Sequence, residues 1–123
     1  MITTIYKAGY VLNKVDGHVT IQALLEYAQC NVDTGLQEPV LWDLTNGTLK
    51  EDKSDYQAIR NIVRNTHTLA RKRKGRKTAF VALDQCTYGM LRMAIGIVEV
   101  NESRIIASVF SDMGEAKAWL KET

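Results

Sequence analysis

The chain holds 123 residues, 46% of them hydrophobic and 24% charged. That suits one globular domain over residues 1–123 and excludes a disordered or disulfide-stapled chain. Six of the sixteen basic residues fall in RKRKGRK, Arg71 to Lys77, leaving ten against fourteen acidic ones, so positive charge is local rather than spread as in a general nucleic-acid binder.

In chain order, Ile2 to Lys7 and Tyr10 to Val15 read as two short strands around Ala8-Gly9, with a weak period of two. Asp16-Gly17 reads as a turn. Thr20 is placed to cap a helix whose apolar positions are Ile21, Leu24, Leu25 and Ala28. That helix is expected to end near Asn31. PVLWDL, Pro39 to Leu44, is almost wholly apolar, as a parallel strand covered on both faces should be. TNGT, Thr45 to Thr48, reads as the turn that stops it.

Glu51, Asp52 and Asp55 open a second helix with negative charge at the positive end of its dipole. Its stripe is Tyr56, Ile59, Val63, Thr66 and Ala70. Arg71, Lys72, Arg73 and Lys74 fall in its last turn, where cations favour the exposed carbonyls, and Gly75 follows as a C-terminal stop. KTAFVAL is the next strand, ending at Asp84. A third helix spans roughly Thr87 to Val100. Arg104 to Phe110 is the last strand, and Ser111 or Asp112 caps a final helix holding Ala116, Trp119 and Leu120.

The order ββαβαβαβα predicts an α/β domain: a mixed, mostly parallel sheet of about five strands with four helices. The first strand should lie antiparallel to the second, because only a short turn joins them. VDGHVT, VLWDLTNGT, KTAFVAL and RIIASVFSDMGEAKAWL occur together in this order. The set resembles the small stand-alone STAS-like bacterial domains, which are relatives of the anti-sigma-factor antagonists, and a branch grouped with CRAL-TRIO lipid-binding domains. The end pattern F-x-D-x-x-E-A-x-x-W-L carries most of the likeness. It implies a non-enzymatic module that binds a protein, a nucleotide or a lipid. The antagonists carry a phosphorylated serine in an Asp-Ser-Ser/Thr-Gly type motif before their second helix. Here NGTLKEDKSDY holds Asp52 and Ser54 without that motif.

Three surfaces stand out as candidate sites. Ligands in open α/β sheets settle beyond the carboxyl ends of the strands. Asp43, Thr45, Asn46, Thr48 and Asp84 are expected there, with Ser54 near a helix N-terminus; the alternative is plain turn chemistry. On the third helix, Leu91, Ala94, Ile95 and Val98 can face the sheet. Tyr88, Met90, Met93, Ile97 and Val100 then remain for an interface, and a homodimer fits such a surplus. The basic stretch, with Arg71, Arg73, Lys74, Arg76 and also Arg92, suits anionic head groups of a membrane surface or a solvated helix end. It lacks the aromatic residues that stack on bases.

An enzyme is disfavoured. His18 and His67 lack a nucleophile pattern, and there is no P-loop, no GxGxxG and no zinc spacing. No cofactor or metal is expected. MITTIYKAGYVLNK does not read as a signal peptide. The longest apolar stretch, Ala94 to Val100, is interrupted by Gly96 and Glu99 and falls far short of the roughly 20 residues of a membrane span. Cys30 and Cys86 read as buried, reduced thiols of a cytoplasmic protein, peripheral to a membrane if the basic stretch docks there. The sequence therefore predicts a regulatory module that binds a protein partner and self-associates through the third helix. Binding of a lipid or another apolar or anionic ligand is the alternative.

Overall fold

A computed structural model of the chain describes residues 1–31, 38–49, 76–101 and 106–122. The second expected helix, and with it Ser54, Arg71, Arg73 and Lys74, lies outside the described residues. Five strands form one sheet in sequential order: β1 (Ile2–Lys7), β2 (Tyr10–Val19), β3 (Val40–Leu49), β4 (Lys77–Ala82) and β5 (Ile106–Phe110). β1 runs antiparallel to β2, and the remaining pairs are parallel. Gly9, at φ 87, takes the left-handed backbone of the tight β1–β2 connection, which a side chain would disfavour.

The described helices are α1 (Ile21–Asn31), α2 (Gln85–Asn101) and α3 (Met113–Lys121). α1 and α3 start where the sequence puts a cap, whereas α2, expected from about Thr87, starts two residues earlier at Gln85. The Thr20 hydroxyl accepts the Ala23 amide at 3.0 Å. Asp112 accepts the Glu115 amide at 2.9 Å, which decides between Ser111 and Asp112. Such side chains satisfy first-turn donors that have no partner inside the helix.

Strand alternation sorts the apolar residues onto two faces. Val15, Trp42, Leu44, Ala82 and Val109 pack with Ile21 and Leu24 of α1 and Leu91 and Ile97 of α2. Leu41, Ala79 and Val81 pack with Ala116 and Leu120 of α3. Trp42 stacks on Phe80 at 6.2 Å between centroids and meets Tyr27 edge-on. Phe110 and Trp119 make a tilted pair under α3.

Two expected turns are strand instead. Asp16-Gly17 lies inside β2, and TNGT lies inside β3. The two segments pair with each other: Asp16 with Asn46, Gly17 with Gly47, His18 with Thr48 and Val19 with Leu49. Polar, glycine-bearing sequence reads as a turn when taken alone, yet here each segment supplies the other's backbone partners. β4 is matched to β3 only as far as Leu44, so the later part of β3 and its β2 partner continue as a two-stranded ribbon. Gly47 is buried in that ribbon. A Cβ built there meets the Val15 carbonyl oxygen at 2.7 Å and Val15 Cγ1 at 2.9 Å.

Lys77 opens β4 but serves α3. Its Nζ donates to the carbonyls of Trp119 at 2.7 Å and Glu122 at 2.6 Å, and lies 5.0 Å from the Trp119 ring centroid. A cation at a helix C-terminus meets carbonyls that lack intrahelical partners, and the ring face adds to the attraction. This last residue of the basic stretch is therefore a structural cation.

Two stability changes follow. Gly47→Ala should destabilise the fold by about 1–3 kcal/mol, because backbone rather than a flexible side chain meets the new methyl. Lys77→Met should lose about 1–2 kcal/mol, the scale of charge-assisted bonds at a part-exposed site. Urea unfolding followed by tryptophan fluorescence checks both, and a midpoint unchanged from wild type in either variant contradicts the corresponding contact.

Candidate functional site

The carboxyl end of the sheet is where the sequence places its polar candidates, and the structure brings several of them together there. Between Lys14–Asp43 and Asp16–Asn46 the β2–β3 register slips. One residue of β2, Val15, then faces two of β3, Leu44 and Thr45, which is a β-bulge. Bulging leaves a backbone amide outside the ladder. The Asp43 side chain takes it: Oδ1 accepts the Thr45 amide at 2.9 Å and the Thr45 hydroxyl at 2.6 Å. Asp43 is buried, and its carboxylate is turned to its own strand.

Asp84 has a parallel role at the start of α2. Its Oδ2 accepts the Thr87 amide at 2.9 Å and the Thr87 hydroxyl at 2.8 Å, while its backbone carbonyl accepts the Tyr88 amide at 2.9 Å. The backbone bond from Thr87, followed by the hydroxyl bond, holds the Asp84 carboxyl below its ordinary 3.8. Thr87 is fully buried, and its oxygen also accepts the Leu49 amide at 3.0 Å. One hydroxyl therefore joins the end of the β2–β3 ribbon to the first turn of α2.

Asn46 is exposed on the ribbon, and Thr48 is half-buried and bonded through its hydroxyl to His18 Nδ1. Thr45, Asn46 and Thr48 thus share one strand with Asp43, and Asp84 reaches the same end of the sheet through Thr87. Sequence reading missed Thr87, although an aspartate just ahead of a helix is itself an N-cap signal that points to the third helical residue as its partner. It also missed the cluster on β1. There the Thr4 hydroxyl donates to Asn13 Oδ1 at 2.8 Å and shares a hydrogen bond with the Tyr27 hydroxyl, which satisfies a buried asparagine beneath α1.

On α2 the expected interface separates. Ile97, expected on the outer face, is 9% exposed and belongs to the core with Leu91. Tyr88, Met90 and Met93 are half-buried and pack against the same cluster, as do Ala94 and Ile95. The side chain of Val100 lies outside the described residues. The apolar surplus of α2 therefore goes at least partly into packing on the sheet. Beyond the first turn, the exposed positions among the described side chains are Gly89, Arg92, Gly96 and Glu99, a narrow strip three to four residues apart.

Cys86, expected to be buried, is exposed in the first turn of α2. Arg76 and Arg92 are exposed. Among the described residues no group of three or more His, Cys, Asp or Glu is placed to hold a metal, and no helix is long and apolar enough to cross a membrane.

A sheet of one antiparallel and three parallel pairings, with α1 and α2 on one face and α3 on the other, is a STAS-like fold. It is similar to an uncharacterised protein of the DUF3478 family with a SpoIIAA-like fold from Shewanella loihica, at a TM-score of 0.56 and 16% identity, over 98% of this chain and 92% of that one. It is also similar to an anti-sigma factor antagonist from Mycobacterium paratuberculosis, at a TM-score of 0.54 and 13% identity, over 99% and 94% of the two chains. No family model matches the chain, and no curated protein matches it in sequence.

The Asp84–Thr87–Leu49 link makes two predictions. Thr87→Val keeps the volume but leaves the Leu49 amide without its acceptor and removes a donor to Asp84. It should destabilise by about 2–3 kcal/mol, with Thr87→Ser much closer to wild type, as equilibrium unfolding will show. For Asp84, a depressed folded-state pKa gives a contribution that is complete above about pH 4 and lost as pH falls through the lowered value. Urea midpoints at pH 5 and pH 3 should therefore drop more in wild type than in Asp84→Asn; equal drops contradict the cap.

Proposed function

We propose that this chain is a regulatory binding module of the anti-sigma-factor-antagonist kind, acting by docking a protein partner rather than by chemistry of its own. What supports the reading most is the state of the polar residues at the carboxyl end of the sheet. Asp43 serves Thr45, Asp84 serves Thr87, and Thr87 serves Leu49. Groups so engaged hold a surface in shape. The likeness to the antagonist from Mycobacterium paratuberculosis points the same way.

The docking surface we assign is the first turn of α2 with its exposed strip, centred on Arg92 and flanked by half-buried Met93. An arginine beside an adaptable methionine is a common kind of protein contact. Self-association through α2 is one form of such docking, narrowed by the burial of Ile97 to the strip around Arg92.

Immobilised wild type and Arg92→Glu, exposed to the same host extract, should differ. A specific protein should be retained at least about tenfold better by wild type, a difference near 1.4 kcal/mol. Identical retention profiles contradict docking at α2, and a lipid-sized adduct on wild type in native mass spectrometry would favour a lipid ligand instead. Arg92 is the position to change, because Met93→Asp would disturb core packing.

A further inference from the structure

β1 is the outer strand of the sheet, and its free edge carries a regular row of backbone groups that a further strand can pair with. Met1 and Asp16 exchange both backbone bonds: the amino terminus donates to the Asp16 carbonyl at 2.8 Å, and the Asp16 amide donates to the Met1 carbonyl at 2.9 Å. In an antiparallel ladder such bonded pairs alternate with unbonded ones. Following the register, Thr3–Lys14, Ile5–Leu12 and Lys7–Tyr10 are bonded pairs, while Ile2–Val15, Thr4–Asn13 and Tyr6–Val11 are not. The side-chain contact between Thr4 and Asn13 fits the closer spacing of an unbonded pair. The backbone amides and carbonyls of Ile2, Thr4 and Tyr6 therefore point away from β2, along the open edge.

Natural edge strands are guarded by charge, proline, a bulge or a covering segment. β1 has none of the first three between Ile2 and Tyr6; its one charged residue, Lys7, stands at the end. Thr3, Ile5, Tyr6 and Lys7 are exposed, Ile5 by 38% and Tyr6 by 61%, and no described segment lies over them. Apolar side chains in water beside an unpaired backbone edge favour a strand partner.

We infer that β1 pairs antiparallel with β1 of a second copy of this chain about a two-fold axis at Thr4. The outward-pointing residues select that register. Thr4 meets its own symmetry mate, Ile2 meets Tyr6, and each of these pairs brings two outward backbone groups to two others. On the α1 face Ile2 packs on Tyr6, an aliphatic–aromatic cross-strand pair. On the α3 face Thr3 meets Ile5. Between Ile2 and Tyr6 the seam sets no charged residues opposite one another; the Met1 amino group and Lys7 share a register position only at its two ends. A two-fold seam uses the same patch on both copies and closes, whereas pairing β1 with the β5 edge would leave open ends and grow. The result is a continuous sheet through two subunits. Contact confined to one strand roughly 20 Å long buries much less surface than a permanent dimer does, so association is weak and concentration-dependent. It uses none of the α2 residues assigned to a protein partner and stands apart from that reading.

Sedimentation velocity over a concentration series up to about 1 mM, the range of weak interfaces, tests the seam with two double variants. Thr3→Lys with Ile5→Lys sets lysines opposite one another across the axis and should weaken dimerisation at least about tenfold. Thr3→Glu with Ile5→Lys sets opposite charges there and should leave the dissociation constant within about threefold of wild type or lower it. Thermal melts of both variants show whether the monomer is intact. A wild type that stays monomeric throughout, a dimer that survives both variants equally, or one lost equally in both would overturn the inference. Loss of partner retention in Arg92→Glu with an intact dimer would leave it standing.

Discussion

One buried hydroxyl holds the carboxyl end of this fold together. Thr87 gives its proton to Asp84 and takes the amide of Leu49, so helix α2 and the ribbon that ends at Leu49 have a common anchor. Without it, the ribbon extends beyond β4 with only β2 beside it. An unshared buried amide there carries the full desolvation penalty. The anchor also sets where α2 begins, hence which of its sides meets the sheet. Leu91 and Ile97 face inward, and Arg92 and Glu99 remain outside. The exposed strip on α2 is thus a downstream result of one threonine's hydrogen bonds.

The sheet divides the protein into unequal halves. One face carries α1 and α2 over a large cluster containing Trp42 and Leu44, and the other carries α3 over Leu41, Ala79 and Val81. Short residues on the α3 side, Ala79 against Ala116, let the helix lie close. Lys77 then fixes that helix from its far end. One larger and one smaller cluster, with polar ties at their margins, make up the described core.

The strand–helix alternation was legible because periodicity and caps are local signals. Thr20, Asp112 and the apolar run of Val40 to Leu44 read correctly for that reason. Asp16-Gly17 and Asn46-Gly47 misled for a complementary reason. Each is a turn signal alone, and only the other segment, thirty residues away, turns it into strand. The candidate residues Asp43 and Asp84 were placed at the right end of the sheet. Their hydrogen bonds to Thr45 and Thr87 emerge only with the backbone in place, since a bulge is a relation between two strands. On α2, helical spacing was read without knowing how wide a face the sheet would cover. Ile97 fell on the wrong side of that boundary for this reason. Lys77 looked like one more charge in a basic run, and its true partners at Trp119 and Glu122 lie over forty residues ahead.

The lateral placement of α3 has a consequence for local opening. It meets the sheet through Ala116 and Leu120, and Lys77 holds its end. No described strand pairing runs through it. Its nine residues can therefore lift from the sheet as a unit, at the cost of one small apolar cluster and the Lys77 bonds, while the five-stranded ladder stays intact. Amide exchange in α3 then runs ahead of exchange in β3 and β4.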